Sequence, residues 1–208
     1  MPEGPEIWIL SKAINAYYLN KNTQSYGKHL FLKDVKENWS FGLTGTVAIG
    51  PDNKLAKVPS GWLHGSVVAY DDLIVEQGKL GIDFMTADEE ELKHEIGKWA
   101  SSKKKLAGLL LDQTRISGIG VAWGSEILFN AGLRPEARAC DQNLDKLADS
   151  IFYIRKMVKD IYEKELKDKE PFLKKFIDNW FKNLYEVRVM SVYKKGTQIE
   201  VLGRKWWI

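Results

Sequence analysis

The sequence predicts an α+β chain in which an N-terminal helix and an antiparallel β-sandwich precede a helical region and a terminal β-hairpin. Three observations carry this expectation. Short β-rich runs broken by turn residues fill residues 28–86, apolar residues recur at helical spacing from residue 86 onward, and strand-like alternation returns after residue 186. The expected boundaries are 1–87, 88–185 and 186–208.

Taken in order, Ile7, Leu10, Ile14 and Tyr17 form an apolar stripe behind Pro5, a residue suited to a first helical turn. From Lys28 the runs HLFLKDV, WSFGLTGTVAI, SVVAYDD and KLGIDFM are separated by KEN, GPDN, PSG and EQG, which read as turns. Acids at Asp88 through Glu91 head a helix whose stripe is Leu92, Ile96 and Trp99. Helices follow over 103–112 with a basic head, over 121–131, and over 144–168 with Leu147, Ile151, Ile154, Val158 and Ile161 on one face. Gly118 to Gly120 and Gly132 to Pro135 separate them, and Phe172, Phe176, Ile177 and Trp180 continue the spacing after Pro171. The last 23 residues alternate around a KKG turn and need support from the helices or a partner.

Composition narrows the function classes. With 208 residues, 44% hydrophobic and 28% charged, the chain is neither disordered nor fibrous. The net charge of +3 hides an asymmetry: residues 1–100 carry 10 Lys/Arg against 14 Asp/Glu, whereas 101–208 carry 21 against 14. A polyanion is therefore expected on the C-terminal half. One cysteine, Cys140, excludes an internal disulfide and a four-cysteine zinc site. With no basic leader and no long apolar run, an intracellular protein with no membrane partner is expected.

Four features carry chemistry. Removal of Met1 leaves Pro2 as a secondary amine, a nucleophile toward carbonyl-like carbon; the alternative is a loose terminus ahead of a helix. Lys103, Lys104 and Lys105 precede an apolar helix, and Gly118 and Gly120 feed another, where glycine N–H groups beside a helix start can cradle phosphate. Packing is the competing use of such turns. Lys194, Lys195, Arg204 and Lys205 lie among Tyr193, Trp206 and Trp207, suiting a ribbon that contacts nucleic acid or, equally, a solvated hairpin capping the core. His29, His64 and His94 give no zinc-ligand spacing, and no HExxH helix or GxSxG elbow occurs, so no metal or cofactor is expected.

These residues resemble the formamidopyrimidine-DNA glycosylase and endonuclease VIII family. MPEGPEI is similar to its catalytic N-terminus, LLLDQTRISGIGVAWGSEILFNAGLRPEARA to its central DNA-binding signature, and YGKHLFL followed by FGLTG to the strand pair bearing its lysine. The resemblance implies a catalytic β-sandwich domain, a helix–two-turn–helix domain and a short zincless finger. It makes Pro2 the nucleophile at C1′, Glu3 a helper of proton transfer, Glu6 a holder of the N-terminal helix and active-site network, Lys28 a catalytic residue that also contacts phosphate, and Arg204 a phosphate contact. Lys103, Lys104, Gly118 and Gly120 fall on the DNA side. Leu43 and the pair Lys79 and Leu80 take the void-filling positions. Lysine lacks the planar fork that reads an opposite base, so weak opposite-base discrimination is expected. Val121 stands where the family has an asparagine that donates to phosphate, a bond valine cannot make.

The implied activity is that of a bifunctional DNA glycosylase and AP lyase excising oxidised bases by β,δ-elimination. The implied partner is duplex DNA with oxidised bases or abasic sites, or single-stranded or bubble DNA. The implied protein is a monomer, nuclear if the source is eukaryotic. A non-catalytic binder of damaged or branched DNA is the alternative, and a protein-interaction domain the third.

Overall fold

The computed structural model describes residues 3–6, 8–9, 80–166 and 190–208, together with the backbones of six short strands between residues 23 and 69. Pro2, Lys28, Leu43, Lys79 and the helix expected after Pro171 lie outside the described residues. Gly4 to Glu6, Trp8 and Ile9 are helical, as the stripe behind Pro5 predicts.

Strand β1 (Thr23–Tyr26) pairs antiparallel with β2 (His29–Leu32), Thr23 opposite Leu32. A second sheet, antiparallel throughout, joins β3 (Phe41–Gly42), β4 (Thr46–Ala48) and β5 (Leu55–Lys57). Strand β6 (Val67–Ala69) returns to β2 in parallel, Leu30 beside Val67, where antiparallel pairing was expected. Parallel neighbours need a long crossover, and the strands of the second sheet lie within that connection. The sandwich packing of these sheets falls on side chains outside the described set.

The segment β7 (Ile82–Asp83) pairs in parallel with β8 (Ile116–Ser117). The Ser117 hydroxyl faces the Gly81 and Ile82 carbonyls, and Asp83 Oδ1 accepts from the Met85 and Thr86 N–H groups at 2.8 and 2.7 Å. This Asx-type turn delivers the chain to helix α1 (Glu89–Gly97). Asp88 caps α1 by accepting from Glu91 N–H at 2.7 Å, and Glu89 to Glu91 sit at the positive end of its dipole.

Helix α2 (Leu106–Leu111) is shorter than expected because its basic head is not helical. Lys105 forms a β-bridge with Arg138, Ala139 N–H donates to Lys104 O, and Leu106 N–H donates to Ala137 O. The lysine backbone thus finds its partners in the segment after Pro135. Helices α3 (Val121–Asn130) and α4 (Leu144–Ile161) follow, and α4 runs into a π-helical turn at Tyr162–Leu166. Asn143 caps α4, and its stripe of Leu147, Ile151, Ile154 and Val158 is buried as the spacing predicts.

The hairpin pairs β9 (Gln198–Val201) with β10 (Arg204–Trp207) through a turn at Leu202 and Gly203, not at KKG. Both turn residues have positive φ, 54° and 68°, which suits the right-handed twist of a two-residue hairpin loop. KKG forms its own tight turn just before β9, where the Lys195 and Gly196 N–H groups both donate to Val192 O. Trp99, Trp123 and Trp206 are fully buried in the core around α3.

Candidate functional site

The described residues converge on the first turn of α3. A new helix leaves backbone N–H groups without intrahelical partners. Here a carboxylate from the other end of the sequence takes them: Glu3 Oε2 accepts from Gly120 N–H at 2.9 Å and Trp123 N–H at 3.0 Å, and Oε1 from Ala122 N–H at 3.0 Å. The helix dipole favours negative charge at that point. Glu3 N–H in turn donates to Glu6 Oε2 at 2.9 Å, and Trp123 Nε1–H donates to Glu6 Oε1 at 3.0 Å. Gly4 N–H donates to Gly118 O at 2.6 Å. Both acids are buried, Glu6 almost completely.

Glycine is required in this turn for close approach. A Cβ on Gly120 would lie 2.2 Å from the Glu3 carboxyl, and Gly118 holds φ at 101°. The phosphate cradle expected from Gly118 and Gly120 is therefore corrected. Gly120 N–H is occupied by Glu3, and Gly118 N–H donates to Gln113 Oε1 at 2.9 Å. The protein's own groups fill the positions that an outward-facing cradle would leave open. Gln113 completes the staple by donating from Nε2 to Ile119 O at 2.9 Å.

Leu80 is half-buried where the chain enters this region, and Gly81 N–H donates to Gln113 O at 2.8 Å. Val121 is half-buried at the first position of α3. Tyr193 is half-buried and edge-on to Trp207 with ring centroids 4.5 Å apart. Burial raises its phenol pKa above the usual 10.0, and the charges of Glu3 and Glu6 raise it further. The Ser191–Tyr193 backbone is held by Glu126, whose carboxylate accepts from all three N–H groups at 2.7, 2.8 and 2.7 Å. Ser125 Oγ accepts from Trp207 N–H at 3.1 Å, and a Cβ on Gly124 would meet the Trp206 ring at 2.9 Å.

The sequence-predicted residues separate into two groups. Glu3, Glu6, Gly118, Gly120 and Val121 come together. Lys103 and Lys104 are exposed and lie elsewhere. Their segment is tied to Pro135 through Ala107, and Leu133 is tied to the last turn of α3, which is about 15 Å long by its rise per residue. Arg204 is exposed on β10, beyond the turn whose Leu202 reaches Gly108 of α2; no contact among the described residues joins it to Glu3.

Gln113, Glu126 and Tyr193 belong to the site although sequence reasoning did not select them for it. Glu126 had a signal, since a lone acid on the otherwise apolar helix VAWGSEILF needs polar partners when buried. Among the described residues, no group of three or more His, Cys, Asp or Glu could hold a metal ion, and no helix is long and apolar enough to cross a membrane.

No model of a known protein family matches the chain. Over 73 residues it is 38% identical to the formamidopyrimidine-DNA glycosylase of Mycoplasma pneumoniae, covering 34% of this chain and 25% of that protein. Over 61 residues it is 41% identical to the protein of the same name from Carboxydothermus hydrogenoformans, covering 29% of this chain and 23% of that one. The matched segments thus span about a quarter of these relatives' length. The whole chain superposes on a mutant Lactococcus lactis FPG in complex with a Fapy-dG containing DNA, with a TM-score of 0.65 at 16% identity over 99% of this chain and 97% of that one. A second mutant, in complex with a THF containing DNA, gives 0.64 at the same identity. At that identity the likeness is one of fold, and the chain shares the fold of these proteins.

Proposed function

We propose that this chain is a bifunctional DNA glycosylase and AP lyase of base-excision repair, acting as a monomer on DNA with oxidised bases or abasic sites, without metal or cofactor. The observation that carries the proposal is the docking of Glu3 and Glu6, both buried, onto the start of α3. This holds the residues next to Pro2 in one fixed frame.

In this reading the Pro2 amine attacks C1′, the bond from C1′ to the base breaks, and the base leaves with a proton. Glu3 assists the proton transfers at the sugar, whose ring opens to an iminium. That electron sink acidifies C2′, and loss of its proton expels the 3′ phosphate. A second elimination expels the 5′ phosphate, and hydrolysis frees Pro2. Lys28 and Arg204 contact phosphates, while Leu43 and Leu80 fill the space left by the extruded nucleotide, whose unstacking costs least at damaged sites.

Borohydride reduction on abasic-site DNA tests the reading. A covalent adduct is expected with the natural terminus and none with Pro2→Gly. The substitution of Val121 favours a second reading, a damaged-DNA binder that does not cut. DNA binding without an adduct would select it, and absence of salt-sensitive binding would reject both.

A further inference from the structure

Two buried carboxylates at α3, besides Glu6, each accept from three backbone N–H groups. Glu3 is one; the other is Glu126, which is 2% exposed and has no role in the chemistry above. Glu126 lies three and four residues beyond Trp123 and Ala122, one turn along the same helix face. Its Oε1 accepts from Val192 N–H at 2.8 Å and Tyr193 N–H at 2.7 Å, and its Oε2 from Ser191 N–H at 2.7 Å.

The turn so gripped is strained and internally tied. Lys194 adopts a φ of 60°, Lys195 Nζ donates back to Met190 O at 2.6 Å, and the Tyr193 ring closes on Trp207, itself anchored to Ser125. Only a carboxylate of this length serves. An amide would aim its own N–H at a donor, aspartate would fall one methylene short, and an apolar residue would leave three buried donors unpaired.

We infer that Glu126 is a positioning residue: its carboxylate fixes the Ser191–Tyr193 turn against α3 one turn from Glu3 and Glu6, and so sets where Tyr193 stands in the reaction site. The inference rests on the glycosylase reading for its effect on chemistry, but not for its effect on structure. Burial first, and the charges of Glu3 and Glu6 next, raise the Tyr193 phenol pKa, in accord with that placement.

The test uses the full chain as Glu126→Gln, Glu126→Asp, Tyr193→Leu and the double variant Glu126→Gln with Tyr193→Leu. Amide exchange at residues 191–193 reads position without reference to activity. It is expected to quicken about ten- to a hundredfold in Glu126→Gln while α1 amides hold their rates. Single-turnover borohydride trapping at saturating abasic DNA is expected to fall roughly tenfold in Glu126→Gln and in Tyr193→Leu. The double variant should fall no lower than the worse single one, because both act through the same ring. Recovery in Glu126→Asp of part of the trapping rate is expected, since charge is kept.

Unchanged exchange at 191–193 overturns the inference, as do losses that multiply in the double variant. If the amide variant does not fold, Tyr193→Leu decides, because it leaves the carboxylate and its three bonds in place; a wild-type trapping rate there overturns the inference. If the wild type itself traps nothing, the glycosylase reading fails instead, and exchange alone decides whether Glu126 positions the turn.

Discussion

At the scale of single residues, space around Gly120 is the sharpest constraint. Alanine there would place Cβ 2.2 Å from the Glu3 carboxyl, so the acid must leave its three donors. Gly120→Ala is expected to cost roughly 1–3 kcal/mol for the buried groups left unpaired. Urea unfolding should show a lower midpoint at constant slope. Gly97→Ala makes the contrast, since nothing lies within 4 Å of its Cβ at the end of α1. It should raise stability by about 0.4–1 kcal/mol through the unfolded chain. Tyr193 carries a pH prediction. Its phenol pKa is raised above 10.0 by burial first and by the Glu3 and Glu6 charges next. Its contribution is therefore complete below the ordinary value and is lost as pH rises through the raised one. Urea midpoints measured from below to above pH 10 should fall less steeply in Tyr193→Phe than in the parent chain.

At the scale of elements, the hairpin turn is the place where local preference and observed conformation disagree. Leu202 holds φ at 54° although a branched side chain pays roughly 1–2 kcal/mol in the left-handed region. It is 59% exposed, so Leu202→Asn should stabilise the chain by up to about 1 kcal/mol in thermal unfolding. A loss instead would mean that the Leu202 contact above Gly108 anchors the hairpin to α2. The same element shows where sequence reading stopped. Two glycine turns, KKG and LG, have their glycines seven residues apart, and local chemistry permits either as the hairpin loop. What decides is distant: Trp206 must pack against Gly124 and Trp207 must reach Ser125, which sets the register of β10. The helices were legible because their stripes are periodic. The orientation of β6 against β2 was not, because three-residue strands carry no record of which neighbour they meet or in what direction. Nor does any local pattern join Glu3 to Gly120.

At the scale of the whole molecule, the segment of Lys103 and Lys104 is tied toward the far end of α3 among the described residues, while the first turn of that helix is neutralised from within by Glu3. In the proposed reading, a donor at the start of α3 adds to the phosphate contacts of Lys28 and Arg204. Val121→Asn supplies one at the first position and should tighten binding to abasic duplex by roughly 1.5–3 kcal/mol, read by titration at fixed salt. No change would place that turn away from the phosphates. A last consequence concerns synthesis on the ribosome. The donors that Glu3 needs arrive 117 to 120 residues after it, and the turn gripped by Glu126 lies 65 to 67 residues beyond Glu126 itself. A nascent chain must therefore carry Glu3 and Glu6 undocked until α3 has been made, and folding of this centre waits for long loop closures. Truncated products that stop short of α3 would leave those acids in water.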